Sequence, residues 1–322
     1  MFVRELQDGA ELDGVLVVRE AELRTKRDGG QYLRLTLGDR TGSVPANVWD
    51  DVAAVARVAT AGAAVRVRGR LQVSARYGAE LRLRDLCAAE PGSYDEADLL
   101  DGPPRSAAQM EADLRELVAT VQDRDLRRLL DAVCADGSAI WSRYRAAPAA
   151  KHFHQAYRHG LLEHSLSVAQ AVSAISATFA GIDRDVAVAG ALLHDIGKLD
   201  AYAFAGDAIE MTDAGKLQGE IALGYFRVRR LIEEIDGFDP CTAEAVLHII
   251  LSHHGSLEHG SPVVPCTREA TLVHFCDNLG GRLGSFDRLE KQLASGERWS
   301  RFDRALGGGA YFAAAVHDAR AA

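Results

Sequence analysis

Leu192-Leu193-His194-Asp195-Ile196-Gly197-Lys198 is the stretch around which the rest of the chain is organised. Val186, Ala189, Leu192 and Leu193 recur at helical spacing, so a helix is expected from about Asp185 to Leu193, with Gly197 available to stop it. Such a helix delivers an imidazole and a carboxylate side by side at its C-terminal end. Adjacent residues splay by about 100° there, so the pair can grip one ion from two sides. A lone His-Asp dipeptide carries little information. Its weight comes from three other stretches: Gly160-Leu161-Leu162-Glu163-His164, Leu251-Ser252-His253-His254-Gly255 and Phe275-Cys276-Asp277-Asn278. Along a helical region they give the order His, His-Asp, His-His, Asp, a mixed nitrogen and oxygen donor set for a divalent ion.

The 322 residues suffice for two domains with sizeable cores, and 48% hydrophobic with 26% charged residues is the composition of an ordinary globular protein. A net charge of -9 argues against a protein coated in nucleic acid but leaves room for a local basic groove. The five cysteines (Cys87, Cys134, Cys241, Cys266, Cys276) are widely spaced and form no CxxC, which fits reduced thiols in a cytoplasmic protein. The N-terminus has no signal-like apolar region and no apolar run is long enough for a bilayer, so no membrane is expected as a partner.

Residues 1–92 read as strands. Leu12 to Arg24, Tyr32 to Leu37, Val44 to Trp49, Ala64 to Val73 and Glu80 to Arg84 alternate apolar and polar residues, with turns at Asp28-Gly29-Gly30 and Asp39-Arg40-Thr41-Gly42. A short Ala/Val helix from about Val52 to Ala59 falls between the third and fourth strands. Five strands with that interruption give the order of an OB-fold barrel. This segment holds about 14 basic and about 13 acidic residues, so nearly all the chain's acidity lies elsewhere. Arg66, Arg68 and Arg70 share one strand face, and Arg82 and Arg84 repeat the arrangement. Such rows can meet a phosphate backbone while Tyr32, Trp49 or Tyr77 stack on bases.

Residues 93–105, containing Asp101-Gly102-Pro103-Pro104, read as a linker. Residues 106–150 read as a helical connector opened by Ser106-Ala107-Ala108-Gln109 as a capping box. Residues 151–290 read as an all-α catalytic core, and 291–322 as a C-terminal tail packed on it. His152, His154 and His159 precede the His164 helix and are each read first as packing residues. His274, three residues before Asp277, could orient that carboxylate or pack. Lys198, Lys216 and Arg282 are candidate phosphate clamps.

The His, His-Asp, His-His, Asp order resembles the HD-domain phosphohydrolase superfamily. The resemblance narrows further. The OB-like N-terminus with Leu37-Gly38-Asp39-Arg40-Thr41-Gly42, the Pro-containing linker, the phrases His164–Val168, His194–Lys198, Ile250–Gly255 with Gly260-Ser261-Pro262, and Glu269–Asn278 look like the YhaM-type 3'-5' exoribonucleases. That resemblance implies a metal-dependent hydrolase removing nucleotides from the 3' end of single-stranded RNA or DNA. It implies two divalent ions, Mn²⁺ by preference with Mg²⁺ or Co²⁺ as substitutes. His164, His194, Asp195 and Asp277 would hold one ion. Asp195, with Lys198 the other catalytic candidate, would bridge to a second held by Glu220, His253 and His254. Glu220 stands where the family carries a histidine, and Gln155 and His159 where it carries His and Gly. A homo-oligomer is left open. Two other readings also remain: an HD-domain hydrolase of mononucleotides, which has no evident use for an OB-fold, and a nucleic-acid-binding module with a degraded metal site.

Overall fold

The computed structural model describes residues 2–26, 29–74, 78–99, 102–103, 105–151, 155–205, 208–291, 293, 297–304 and 306–313. Asp28, Tyr77, Asp101, Pro104, His152 and His154, all singled out in the sequence, lie outside the described residues. Two compact units emerge: residues 1–101 together with 285–322, and residues 102–284.

In the first unit, β1 (Glu11–Thr25), β2 (Gln31–Asp39), β3 (Gly42–Val48), β4 (Ala64–Ser74) and β5 (Gly78–Ala88) close a barrel in the order β1-β2-β3-β5-β4. Helix α1 (Val52–Val58) interrupts it between β3 and β4, as expected of an OB-fold. All neighbours are antiparallel except β3 and β5, whose parallel contact at Ala46 and Leu81 closes the ring. Alternation fixes which side chains enter: on β4, Val65, Val67 and Leu71 are buried while Arg66, Arg68 and Arg70 face out. Gly69 sits where a Cβ would lie 2.6 Å from the Arg82 carbonyl oxygen, so only glycine allows this approach of β4 to β5. The β2–β3 turn is held by Asp39, which is buried and accepts from the backbone N–H groups of Val3, Thr41 and Gly42 and the Thr41 hydroxyl. A short helix, α2 (Glu96–Leu99), follows.

The second unit contains α3 (Ala107–Ala119), α4 (Arg124–Cys134), α5 (Trp141–Ala146), α6 (Gly160–Ser176), α7 (Arg184–Leu193), α8 (Lys198–Ala201), the hairpin β6 (Tyr202–Ala205) and β7 (Ala208–Met211), α9 (Asp213–Gln218), α10 (Glu220–Glu233) and α11 (Pro240–Ser252); α12 (Arg268–Lys291) begins in it. Aspartates open several helices: Asp123, Asp183 and Asp239 each accept from backbone N–H groups in the first turn of α4, α7 and α11. Ser106 accepts from Gln109 N at α3. No helix among the described residues is long and apolar enough to cross a membrane.

Residues 106–150 differ from the connector expected. Met110, Leu114, Leu126, Leu129, Leu130 and Tyr144 share one buried core with Leu161, Leu166, Val188, Leu192, Val246 and Ile250. The Tyr144 hydroxyl also donates to the Leu192 carbonyl at 2.6 Å, fixing the last turn of α7. Their apolar periodicity had no partner visible in sequence; the partner is the set of helices that carry His164, His194 and His253.

The C-terminal segment also differs. It was expected on the helical core, but residues from Ser285 onward group with the barrel residues. Arg4 pairs with Glu290 at 3.4 Å, Arg288 with Asp303 at 2.5 Å, and Phe286 meets Phe312 at 6.1 Å. The last turns of α12 thus supply the surface on which this segment folds.

Candidate metal centre

Five helices deliver the predicted donors: α6 carries His164, the end of α7 His194 and Asp195, the start of α10 Glu220, the end of α11 His253 and His254, and α12 Asp277. His164 Nε2 lies 3.2 Å from His194 Nε2, 3.0 Å from Asp277 Oδ1 and 3.4 Å from Asp195 Oδ2. His194 Nε2 is 3.3 Å from Asp195 Oδ2 and 3.8 Å from Asp277 Oδ1. His164, His194 and Asp277 form a group that could hold a metal ion. Donors about 2.1 Å from one ion stand roughly 3.0–3.4 Å apart, which these spacings match.

A second pair adjoins the first. His253 Nε2 and Asp195 Oδ1 are 3.5 Å apart, and neither of these buried atoms has a hydrogen-bond partner among the described residues. Uncompensated buried polar atoms are costly, and a bound cation is one way to satisfy both. His254 Nε2 faces Glu220 Oε1 at 3.5 Å. The donor set therefore fits divalent metal, and the HD-domain match below carries the same implication.

The histidines are oriented by a shared local device. The last carbonyls of a helix have no intrahelical partner. His194 Nδ1 bonds the Ala191 carbonyl at 2.7 Å and His253 Nδ1 the Ile250 carbonyl at 2.8 Å, each three residues back in a terminal turn. His254 Nδ1 bonds the His259 carbonyl at 2.9 Å. A carbonyl only accepts, so each Nδ1 carries the hydrogen and Nε2 is the atom turned inward, which in the neutral ring is the lone pair that binds metal.

Charge follows from burial and pairing. Burial works to raise the Asp195 pKa, but the Lys198 ammonium at 2.6 Å and the His194 ring overcome it and hold the carboxyl well below the usual range. Burial likewise opposes ionisation of Asp277, and His164 and His194 overcome it. Glu220 is lowered against burial by His254 and Lys198. Burial pushes His253 down, keeping its ring neutral. In His254 the Glu220 carboxylate outweighs burial and raises the pKa.

Two glycines set the position of Glu220. A Cβ on Gly197 would lie 1.9 Å from the Glu220 carbonyl oxygen and 2.5 Å from Gly224 N, while one on Gly224 would meet Gly197 N at 3.1 Å. Gly197, expected to terminate the preceding helix, instead has φ -66° and serves close approach, which needs no left-handed backbone. His159, where the family resemblance puts glycine, adopts φ +70°, and Gln155 φ +58°. His159 is tied to the Arg145 carbonyl.

The remaining sequence candidates scatter. Lys198 gives its ammonium to Asp195 instead of projecting as a phosphate clamp. Lys216 is largely exposed, 3.8 Å from Asp213, and Arg282 is exposed on α12. The arginine row is compensated: Asp13 takes both Arg66 (2.9 Å) and Arg68 (3.1 Å), Arg70 donates to the Gly9 carbonyl, and Glu11 takes Arg84. Strand β1 lies antiparallel to β4 with Asp13 opposite Arg68, a pairing that strand order decides. Tyr32 and Trp49 instead stack at 4.6 Å and 17°, with the Lys26 ammonium 5.2 Å from the Trp49 ring centroid. Sequence reading missed His259 and Asn278, which line a cavity of about 260 Å³ with His253, His254, His274 and Asp277. Their one signal was nearness in the chain to His254 and Asp277. His274 neither orients Asp277 nor merely packs; its Nδ1 bonds the His253 carbonyl at 2.8 Å.

Comparison with known proteins gives two domain matches: HD domain over residues 161–281, and OB-fold nucleic acid binding domain over residues 17–86. The chain is 27% identical over 300 residues to the 3'-5' exoribonuclease YhaM of Bacillus subtilis (strain 168), covering 91% of this chain and 92% of that protein. It is also 27% identical over 290 residues to the YhaM of Geobacillus sp. (strain WCH70), covering 90% and 88%. Among solved structures, the second OB-fold domain of replication protein A from Methanococcus maripaludis is 24% identical, covering 28% of this chain and 94% of that one, at TM-score 0.22. A hypothetical protein from Arabidopsis thaliana is 18% identical, covering 33% and 89%, at TM-score 0.23.

Proposed function

We propose that this chain, which carries an HD domain and an OB-fold and is similar over nine tenths of its length to the YhaM exoribonucleases, is a metal-dependent 3'-5' exonuclease. Its substrate is single-stranded RNA, with single-stranded DNA as a second, and its compartment is the cytoplasm. The convergence of His164, His194, Asp195 and Asp277, with the unsatisfied His253 Nε2 and Asp195 Oδ1 beside them, carries this reading.

The residues divide the work. His164, His194, Asp195 and Asp277 would hold one ion, and Glu220, His253 and His254, with Asp195 shared, would hold a second. When bound, the ions lower the pKa of water and neutralise charge on a phosphodiester. A carboxylate at Glu220 suits a hard ion, which agrees with Mn²⁺ or Mg²⁺, with Co²⁺ the softer substitute. Lys198 keeps Asp195 ionised and in place. Backbone carbonyls keep the imidazoles in the coordinating tautomer. Tyr32 and Trp49 on the barrel offer bases a stacking surface that tolerates any sequence. A mononucleotide hydrolase has no use for such a surface, and a degraded binding module leaves the converging donors without a purpose.

The test uses 5'-labelled and 3'-labelled single-stranded RNA and DNA with Mn²⁺ or chelator. A 5' label should give a ladder shortening from the far end, a 3' label should leave at once as mononucleotide, and chelator should stop both. Intact oligonucleotides alongside rapid mononucleotide hydrolysis would replace this reading with the phosphohydrolase.

A further inference from the structure

The cavity beside the metal centre combines residues of two kinds. His253, His254 and Asp277 belong to the proposed ion ligands; His259, His274 and Asn278 have been given no part in the chemistry. Asn278 directly follows Asp277 on α12, and His274 lies one turn back, so i and i+4 side chains stand about 5–6 Å apart beside one cavity. The Asn278 side chain is exposed and makes no hydrogen bond among the described residues, leaving a donor and an acceptor free. His274 spends its Nδ1 hydrogen on the His253 carbonyl, so the neutral ring keeps an acceptor at Nε2. Gly255 makes this placement feasible. It has φ +83°, and a Cβ there would come within 2.0–2.4 Å of three atoms of the His274 ring.

With the ions in place the lone pairs of His253 and His254 and the Asp277 carboxylate would be taken, which leaves the His274 acceptor and the Asn278 amide in a lining that contains no lysine or arginine. Such a surface accepts a group that donates a hydrogen bond. A group that presents only acceptors leaves the His274 lone pair without a partner. One sugar beyond the phosphodiester next to a 3' end stands the free 3'-hydroxyl; within a strand, the same place is taken by another phosphate.

We infer that this cavity reads the free 3'-hydroxyl of the terminal nucleotide, with His274 Nε2 accepting from it and the Asn278 amide as its second partner. This rests on the exonuclease reading and deepens it: strand ends are selected by residues on α12, independently of the ions that hold the phosphate. His274 and Asn278 are specificity residues, and His274 also braces the backbone of His253.

The experiment uses the full chain with Mn²⁺ and 5'-labelled RNA strands ending in 3'-hydroxyl, 3'-O-methyl or 3'-phosphate. The methyl ether removes the donor without adding charge. Both blocked ends should be shortened about tenfold or more slowly than the hydroxyl end, the scale of one unmade hydrogen bond at a polar site. Asn278→Ala, at an exposed position, should narrow that preference to about threefold or less while circular dichroism stays that of the wild type. Equal rates on all three ends, or an undiminished preference in Asn278→Ala, overturn the inference while leaving the exonuclease reading intact. If no oligonucleotide is shortened from either end, the exonuclease reading falls and this inference with it.

Discussion

Nζ of Lys198 stands 2.6 Å from Oδ2 of Asp195, three residues away, and that contact leaves Oδ1 of the same carboxylate turned to His253 without a hydrogen bond. Lys198 thus holds Oδ2 beside His164 and His194, and Oδ1 is left for a cation on the His253 side. Lys198→Met should therefore lower metal affinity and turnover by about 10–100-fold, the range for groups that orient a ligand. It should also destabilise the metal-free protein by about 3 kcal/mol, since a buried carboxylate loses its partner. Metal analysis, oligonucleotide turnover and thermal melts check this; wild-type metal content and turnover would remove Lys198 from the site.

Asp195→Ala removes the carboxylate proposed to serve both ions. Metal and hydrolysis should both be lost, with the fold retained, because the core of leucines and valines is independent of metal. Full occupancy with full activity would displace the site altogether.

Glu220 faces His254 at 3.5 Å, so its substitution separates two ions from one. Glu220→Gln should lower the metal-to-protein ratio from about two toward about one and reduce turnover, a neutral amide being the poorer ligand. Glu220→His should restore occupancy with a shift toward Co²⁺ or Zn²⁺. A ratio of one unaltered by Glu220→Gln, with activity retained, would make this a single-metal enzyme.

The barrel gives opposite expectations for two substitutions. Trp49→Ala should weaken oligonucleotide binding about tenfold, within the range for one lost base stack. Asp13→Asn should strengthen it and steepen its salt dependence, because Arg66 and Arg68 are released from the carboxylate they share. Titrations at several salt concentrations read both; unchanged affinity in both variants would move nucleic-acid contact elsewhere.

Acid stability should depend on Asp200, which accepts from Arg227 at 2.5 Å and Arg143 at 3.1 Å. Burial would raise its pKa, but the two guanidinium groups hold it below the ordinary 3.8. A carboxyl with a lower pKa when folded stabilises above its unfolded pKa, and that stability is lost as pH falls through the folded value. Asp200→Asn should thus melt lower than wild type at pH 7, with the gap closing below about pH 3.8. A gap that persists at pH 2 would assign the effect to packing.

The sequence by itself determined the barrel and its strand order around α1, and it named the residues proposed as donors. These depend on local regularities: period-two alternation on β4, helical spacing before His194, and paired polar residues where helices end. Tertiary structure decided the rest. Nothing local says that Asp13 on β1 will lie opposite Arg68 and neutralise the row expected to meet phosphate. Nor does it say that residues from Ser285 will group with the barrel, or that His274 on α12 will reach the His253 carbonyl at the end of α11. Gly197 shows the difference most directly: alone it reads as a helix stop, yet it is needed because Glu220 and Gly224 of another helix come within a methyl group's reach. Periodicity reports which face of an element is buried, and only the packed chain reports against what.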